Sequence, residues 1–270
     1  MKRTHVGNTI IGLLIMVILL FPLYWIIVSS LKTDFELFSN HQTFLPKHPD
    51  FSVYATVFAQ QWPRFLSSLI IGCGTVIFSL LISAPAAYAL AHFKFKITAI
   101  VIMGLLVTQM VPSVILANTL FVLFSKLHLL NTYPGLILAD ASASIPFAIL
   151  ILRSFMLAIP HELAEAAYVD GAGDWKTFIR IILPVSRPAI ITAGLFAFLF
   201  SWGDFIFALT VINTDQIQPI TLGLYSYIGQ HSQEWNKMMA TSVLASLPVA
   251  ALLLFAQKYI SSGLSGSVKG

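Results

Sequence analysis

Hydrophobic positions along the chain gather into six long runs, at about 10–30, 65–91, 97–124, 133–156, 189–212 and 238–260. Roughly 20 apolar residues in a helix cross the hydrocarbon core of a bilayer, so each run predicts a transmembrane helix. Lys2 and Arg3 precede the first run. That run exceeds the ~7–15 apolar residues of a signal peptide, and the first alanine is Ala55, so the reading is a retained helix. Tyr24 and Trp25 near its far end suit an aromatic belt. In the second run Ala84, Ala87 and Ala91 share a face that lets helices approach closely, and Pro85 predicts a kink beside them. Pro112 and Pro146 interrupt the third and fourth runs.

The polar stretches differ in character. Residues 32–64 carry Pro46, Pro49 and Pro63; 213–237 is long and holds Tyr225, Tyr227 and Trp235. Residues 157–188 form a charged island between the fourth and fifth runs, with Glu162, Glu165, Asp170, Asp174, Lys176, Arg180 and Arg187. Pro160 suits a helix start, and alanines and a leucine follow. Gly171 and Gly173 break that helix, with the left-handed cap open to a glycine. Asp174 is a good N-cap for a second helix over 175–183, which Pro184 and Pro188 end. The island therefore reads as helix, glycine turn, helix: a rigid unit for docking on a soluble partner.

Composition agrees with a lipid-solvated chain. Of the residues, 57% are hydrophobic and 10% charged, against roughly 25% charged in a soluble domain. The net charge of +4 is read as the Lys and Arg excess of cytoplasmic loops, not as a nucleic-acid surface. With six spans both termini share a side. Placing residues 1–9 in the cytoplasm leaves Lys32, Lys47, Arg64, Lys126 and Lys237 outside and the other ten of fifteen Lys and Arg inside. The expected orientation is N-in and C-in, with the island cytoplasmic. The single Cys73 excludes an internal disulfide and reads as a buried small hydrophobe.

The island also carries a spaced motif: Glu165-Ala166-Ala167, three residues, Gly171, nine residues, Ile181, one residue, Leu183-Pro184. It resembles the signature of ABC importer permeases in every fixed position. Over nearly its whole length the chain resembles sugar permeases of the maltose-transporter type. Pro146-Phe147, Ser201-Trp202-Gly203-Asp204-Phe205 and a tail of Gln257-Lys258-Tyr259, Gly263-Leu264 and residues 266–270 carry that likeness, although the family often has Asn at the Gly203 position. The resemblance implies an all-α, six-helix type I importer permease whose island is the coupling helix. Glu165 would pair with a basic group of a cytoplasmic ATPase dimer, Gly171 would make the turn, and Asp170 lies beside it. It further implies a second, homologous permease and an extracytoplasmic solute-binding protein docking on the outer loops.

No Gly-x-x-x-x-Gly-Lys-Ser/Thr loop is present. No cofactor is expected on this chain; ATP and Mg belong to the partner ATPase. Within the spans, Asp140 lies about seven residues, or ~10 Å, from the outer end of its helix, and Asp204 about eight residues, or ~12 Å, with Asn118 at similar depth. A polar layer of Asn118, Asp140 and Asp204 is expected to line a substrate path; the other reading is that they satisfy the backbone of broken helices. Trp202 could stack on a sugar or simply pack. The rival class is an ion- or proton-coupled carrier using Asp140 and Asp204, which leaves the island unexplained and lacks a visible inverted repeat. A membrane-embedded enzyme is a third class, with no nucleophile triad or metal-spaced cluster behind it. Reporter fusions after Lys96 and after Lys176 are expected to report a cytoplasmic location, and export at either would overturn the orientation.

Overall fold

The computed structural model describes residues 3–39, 41–93, 96–228 and 234–265, without the side chains of 3–6 and 258–265. Lys2, Lys94, residues 229–233 of the stretch before the last run and the tail from residue 266 therefore lie outside the described residues, as do the side chains of Arg3, Lys258 and Tyr259. Among the described residues the chain is helical and without strands. Four helices are long and apolar enough to cross a membrane, and two bent helix pairs raise the number of spans to six if each pair counts as one.

The chain divides into two units, residues 1–62 with 223–248, and 63–222 with 249–270. In the first unit, α1 (Arg3–Ser30) leaves its apolar side chains exposed, which only lipid or a protein partner can accommodate. After it, the segment that reads as a mere polar connector is folded. Lys32, counted above among the outer charges, is fully buried. Its ammonium lies 4.8 Å from the Trp25 ring centre and donates to the Thr43 carbonyl. Thr33 caps the single turn α2 (Asp34–Leu37). Glu36 accepts from the Thr43 hydroxyl at 3.0 Å and the Lys47 amide at 2.9 Å. Trp25 meets Phe44 edge-on and Tyr24 donates to the Phe44 carbonyl, so the expected belt residues fasten this segment.

The helix α3 (Ser52–His92) starts well before the predicted 65 and runs through Pro63 and Pro85. Its 41 residues span roughly 60 Å, about twice the hydrocarbon thickness. Asp50 starts it by accepting from the Ser52 amide at 2.9 Å. In the first unit its buried Val53 and Val57 pack with Ala240 of the last helix (Trp235–Ser265). Tyr227 receives Gln61 at 2.9 Å.

The second unit holds the main core. The third predicted span is not one helix: α4 (Thr98–Thr108) and α5 (Ser113–Lys126) meet at a 98° bend. Pro112 cannot donate an amide, so the first helix stops at Gln109 and a second begins after the proline. Gln109 Nε2 donates to the Ala143 carbonyl at 3.2 Å and ties the break to α6 (Tyr133–Leu157). Thr132 caps α6 by accepting from the Gly135 amide at 3.1 Å. The fifth span is likewise split, into α10 (Arg187–Gly203) and α11 (Ile206–Val211). One cluster joins α3, α6 and α10 through Ala84, Ala87, Leu152 and Ala193; a second joins α5, α6 and α11 through Ala117, Phe124, Leu136 and Val211. The expected small-residue face of α3 is thus in use. Cys73, by contrast, is exposed rather than buried, because it projects from the opposite side of α3 to Ile71 and Thr75.

Gly135 marks the tightest approach: a Cβ there would lie 2.0 Å from the Leu129 carbonyl oxygen, whereas one at Gly104 meets open space. Gly135→Ala is expected to destabilise the detergent-solubilised protein by about 1–3 kcal/mol. Gly104→Ala is expected to leave it unchanged or up to about 1 kcal/mol more stable. Thermal unfolding of the two variants checks this.

Candidate functional site

The island folds as its residues dictate. Pro160 sits just outside α7 (His161–Val169), as its N-cap. Asp170 ends the helix and Gly171 follows at φ +75°, the left-handed conformation that favours glycine. The Gly171 amide donates to the Tyr168 carbonyl at 3.0 Å and the Ala172 amide to the Ala167 carbonyl at 2.9 Å, the pair of bonds of a Schellman cap. The second arm begins one residue earlier than expected: Gly173 is the N-cap and Asp174 the first residue of α8 (Asp174–Thr177). The Asp174 charge still favours that helix start. Tyr168 Oη donates to Asp174 Oδ1 at 2.8 Å and clamps the two arms together. Desolvation, and then the bond to the Asp174 carboxylate, push the Tyr168 phenol above its ordinary range, so it keeps its proton.

The second arm is not a plain α-helix. Phe178–Ile182 forms a π-helical turn, followed by α9 (Leu183–Val185). The Leu183 amide reaches five residues back to the Phe178 carbonyl. A proline ring crowds the carbonyl four residues before it, and widening the helix relieves Arg180 of that clash with Pro184. The arm then turns by 78° into α10, at Ser186 between Pro184 and Pro188.

The loop has two distinct faces. Ala164, Ala167, Thr177, Phe178 and Ile182 are buried, and Ile181 and Leu183 pack partly against the α3–α6 cluster. Glu165, Ala166, Asp170, Gly171 and Pro184 are exposed. Sequence reasoning missed two apolar members of this outer face, Val169 at 87% exposure and Trp175 at 68%. Val169 directly precedes the Asp170-Gly171 turn, which was the available signal.

The two intramembrane aspartates have separate hydrogen-bond partners. Asp140 is buried on α6 and its Oδ2 accepts from Ser201 Oγ of α10 at 2.5 Å. Its Oδ1 has no hydrogen-bond partner among the described residues. Thr75 donates to Ser201 at 3.4 Å, Ser79 and Ser144 bond at 2.8 Å, and Ser83 donates to the Ser79 carbonyl. This hydroxyl seam joins α3, α6 and α10. Its signal was the four-residue spacing of Thr75, Ser79 and Ser83 and of Asp140 and Ser144, which places each set on one helix face. Asp204 lies at the break of the fifth span. Its Oδ1 accepts from the Phe207 amide at 3.2 Å and its Oδ2 from the Ala208 amide at 2.9 Å, so the carboxylate caps α11. Thr221 donates to its carbonyl at 2.6 Å. Asn118 is on the exposed side of α5 and shares no hydrogen bond with either aspartate. Trp202 is buried, edge-on to Phe65 at 5.4 Å and stacked on Phe198 at 5.3 Å. Packing thus occupies the indole.

Comparison with known proteins places this helical chain in a family. Residues 79–266 match the family described as binding-protein-dependent transport system inner membrane component. The chain belongs to that family. It is 33% identical to the "probable ABC transporter permease protein YurM" of Bacillus subtilis, over 100% of this chain and 91% of that one. It is also 33% identical to the "trehalose/maltose transport system permease protein MalG" of Thermococcus litoralis, over 97% and 96% of the two chains. The solved structure of a bacterial ABC transporter involved in the import of the acidic polysaccharide alginate shares the fold, with a TM-score of 0.80 at 21% identity over 96% of each chain. The protein is therefore a multi-pass ABC permease of the type I fold, and the ion-coupled carrier reading has no support.

Capping makes a separable claim on Asp204. Asp204→Leu removes both bonds to α11 and is expected to cost about 0.5–2 kcal/mol, while Asp204→Asn keeps an accepting oxygen and most of the stability. Unfolding temperatures of the purified variants distinguish the two.

Proposed function

We propose that this chain is the membrane-spanning subunit of an ATP-driven importer of a carbohydrate, which an extracytoplasmic binding protein delivers. The observation that carries the reading is the two-faced loop. Its inner face is seated on the bundle, and its outer face offers Glu165, Val169, Asp170 and Trp175 to a partner. A cytoplasmic ATPase dimer holding ATP and Mg is that partner. Glu165 meets a basic group there, Gly171 makes the turn, and Val169 and Trp175 enter an apolar groove. Relatives whose names specify sugars support the cargo class.

The orientation proposed is N-in and C-in, as the distribution of Lys and Arg favours. A second, homologous permease completes the path. Supporting this, Asn118 is exposed on the bent third span, where lipid would leave its amide unsatisfied. The hydroxyl seam and Asp140 are assigned to holding the bundle, and Asn118 to the path.

Gly171→Val forces a β-branched residue into a left-handed conformation, at about 1–2 kcal/mol or more. Glu165→Lys reverses the docking charge. Both variants are expected to insert normally but to recover several-fold less ATPase on co-purification. Wild-type recovery in both would overturn the docking assignment.

A further inference from the structure

The loop is covalently continuous with α6 and α10 only, yet its side chains also hold α3. Two sets of contacts make the joint. His92, the last residue of α3, places Nε2 at 3.2 Å from Tyr168 Oη of α7. The single Tyr168 proton is already given to Asp174 Oδ1. The tyrosine oxygen can only accept from His92, so the chain runs from His92 Nε2–H to Tyr168 to Asp174. Beside it, Tyr88 stacks on His92 at 5.1 Å and 17°, and on Phe178 of the π-turn at 5.0 Å and 30°. Phe178 in turn touches the exposed Trp175 at 5.5 Å. A small cleft between α3, α6 and α7, lined by Tyr88, His92, Met156, Pro160 and His161, adjoins the joint.

We propose that His92 and Tyr168 are positioning residues that yoke α3 to the coupling loop, so that displacement of the loop moves three spans rather than two. This rests on the docking of the loop to an ATPase proposed above. The hydrogen-bonded chain fixes the end of α3 to both arms of the loop at once, and the Tyr88–Phe178 stack holds the imidazole in line. Both arms must move together for the pull to reach α3, which the Tyr168–Asp174 clamp ensures.

The test uses the complex that co-purifies with the chain. Cys73 is the sole cysteine and is exposed on α3. Spin labels at Cys73 and at Glu162→Cys, exposed on α7, report the distance between α3 and the loop. Between nucleotide-free and ATP–vanadate-trapped complex, that distance is expected to stay constant in the parent. In Tyr168→Phe and in His92→Leu it is expected to shift on trapping, with His92→Gln, which keeps an N–H donor, restoring constancy. A merely structural role would lower stability in all three variants without a nucleotide-dependent shift. Constant distance in both disrupted variants overturns the yoke alone. If no ATPase co-purifies, the docking proposal fails and the yoke with it.

Discussion

Seating of the loop's inner face on the bundle is the interaction on which the rest depends. A loop held by its two ends alone would bend under load. Here Phe178 and Ile182 are buried against Tyr88, Leu152 and Met156, and the cost of exposing such side chains, roughly 1.5–3 kcal/mol each, makes the joint stiff. The hydroxyls of Thr177 and Ser186, buried at this base, have no hydrogen-bond partner among the described residues and lie on the same arm. Buried hydroxyls without partners are unfavourable, and such penalties persist where surrounding packing dictates the position. The π-turn lies between them.

The bundle solves a different problem. In hydrocarbon every backbone amide and carbonyl needs a partner inside the protein. Two spans are broken, and in each a polar side chain stands at the break. Asp204 accepts two amides of α11, and Gln109 reaches a carbonyl of α6. Between the intact portions, hydroxyl pairs do what a purely apolar contact cannot, since lipid solvates leucine as well as leucine does. Such bonds average about 0.6 kcal/mol in membranes, so the seam from Thr75 to Ser144 fixes register more than it adds stability. A charged-type side chain in a span is thereby explained twice without cargo, by a cap and by an interhelical bond. Of the three polar residues, Asn118 alone shows no such bond among the described residues.

The six apolar runs, the island and its glycine turn were legible in the sequence because each rests on local chemistry: run length against bilayer thickness, proline without a donor, glycine at positive φ. Those same local rules located Pro112 but not a 98° bend, since a proline permits a kink whose size its neighbours set. They also missed that α3 starts at Ser52 and carries Pro63 inside it. Polar residues and two nearby prolines read as loop, and the helix exists there because Val53, Val57 and Gln61 find partners far along the chain.

By itself, then, the sequence determined that this is a six-run membrane chain with a charged helix–turn–helix between its fourth and fifth runs, because hydropathy, caps and motif spacing are properties of neighbouring residues. Only the tertiary structure decided the roles of the polar side chains. Asp140 meets Ser201 across 61 positions of sequence and His92 meets Tyr168 across 76. No local pattern encodes such meetings: they follow from which helix faces pack, and packing is settled by the whole bundle at once.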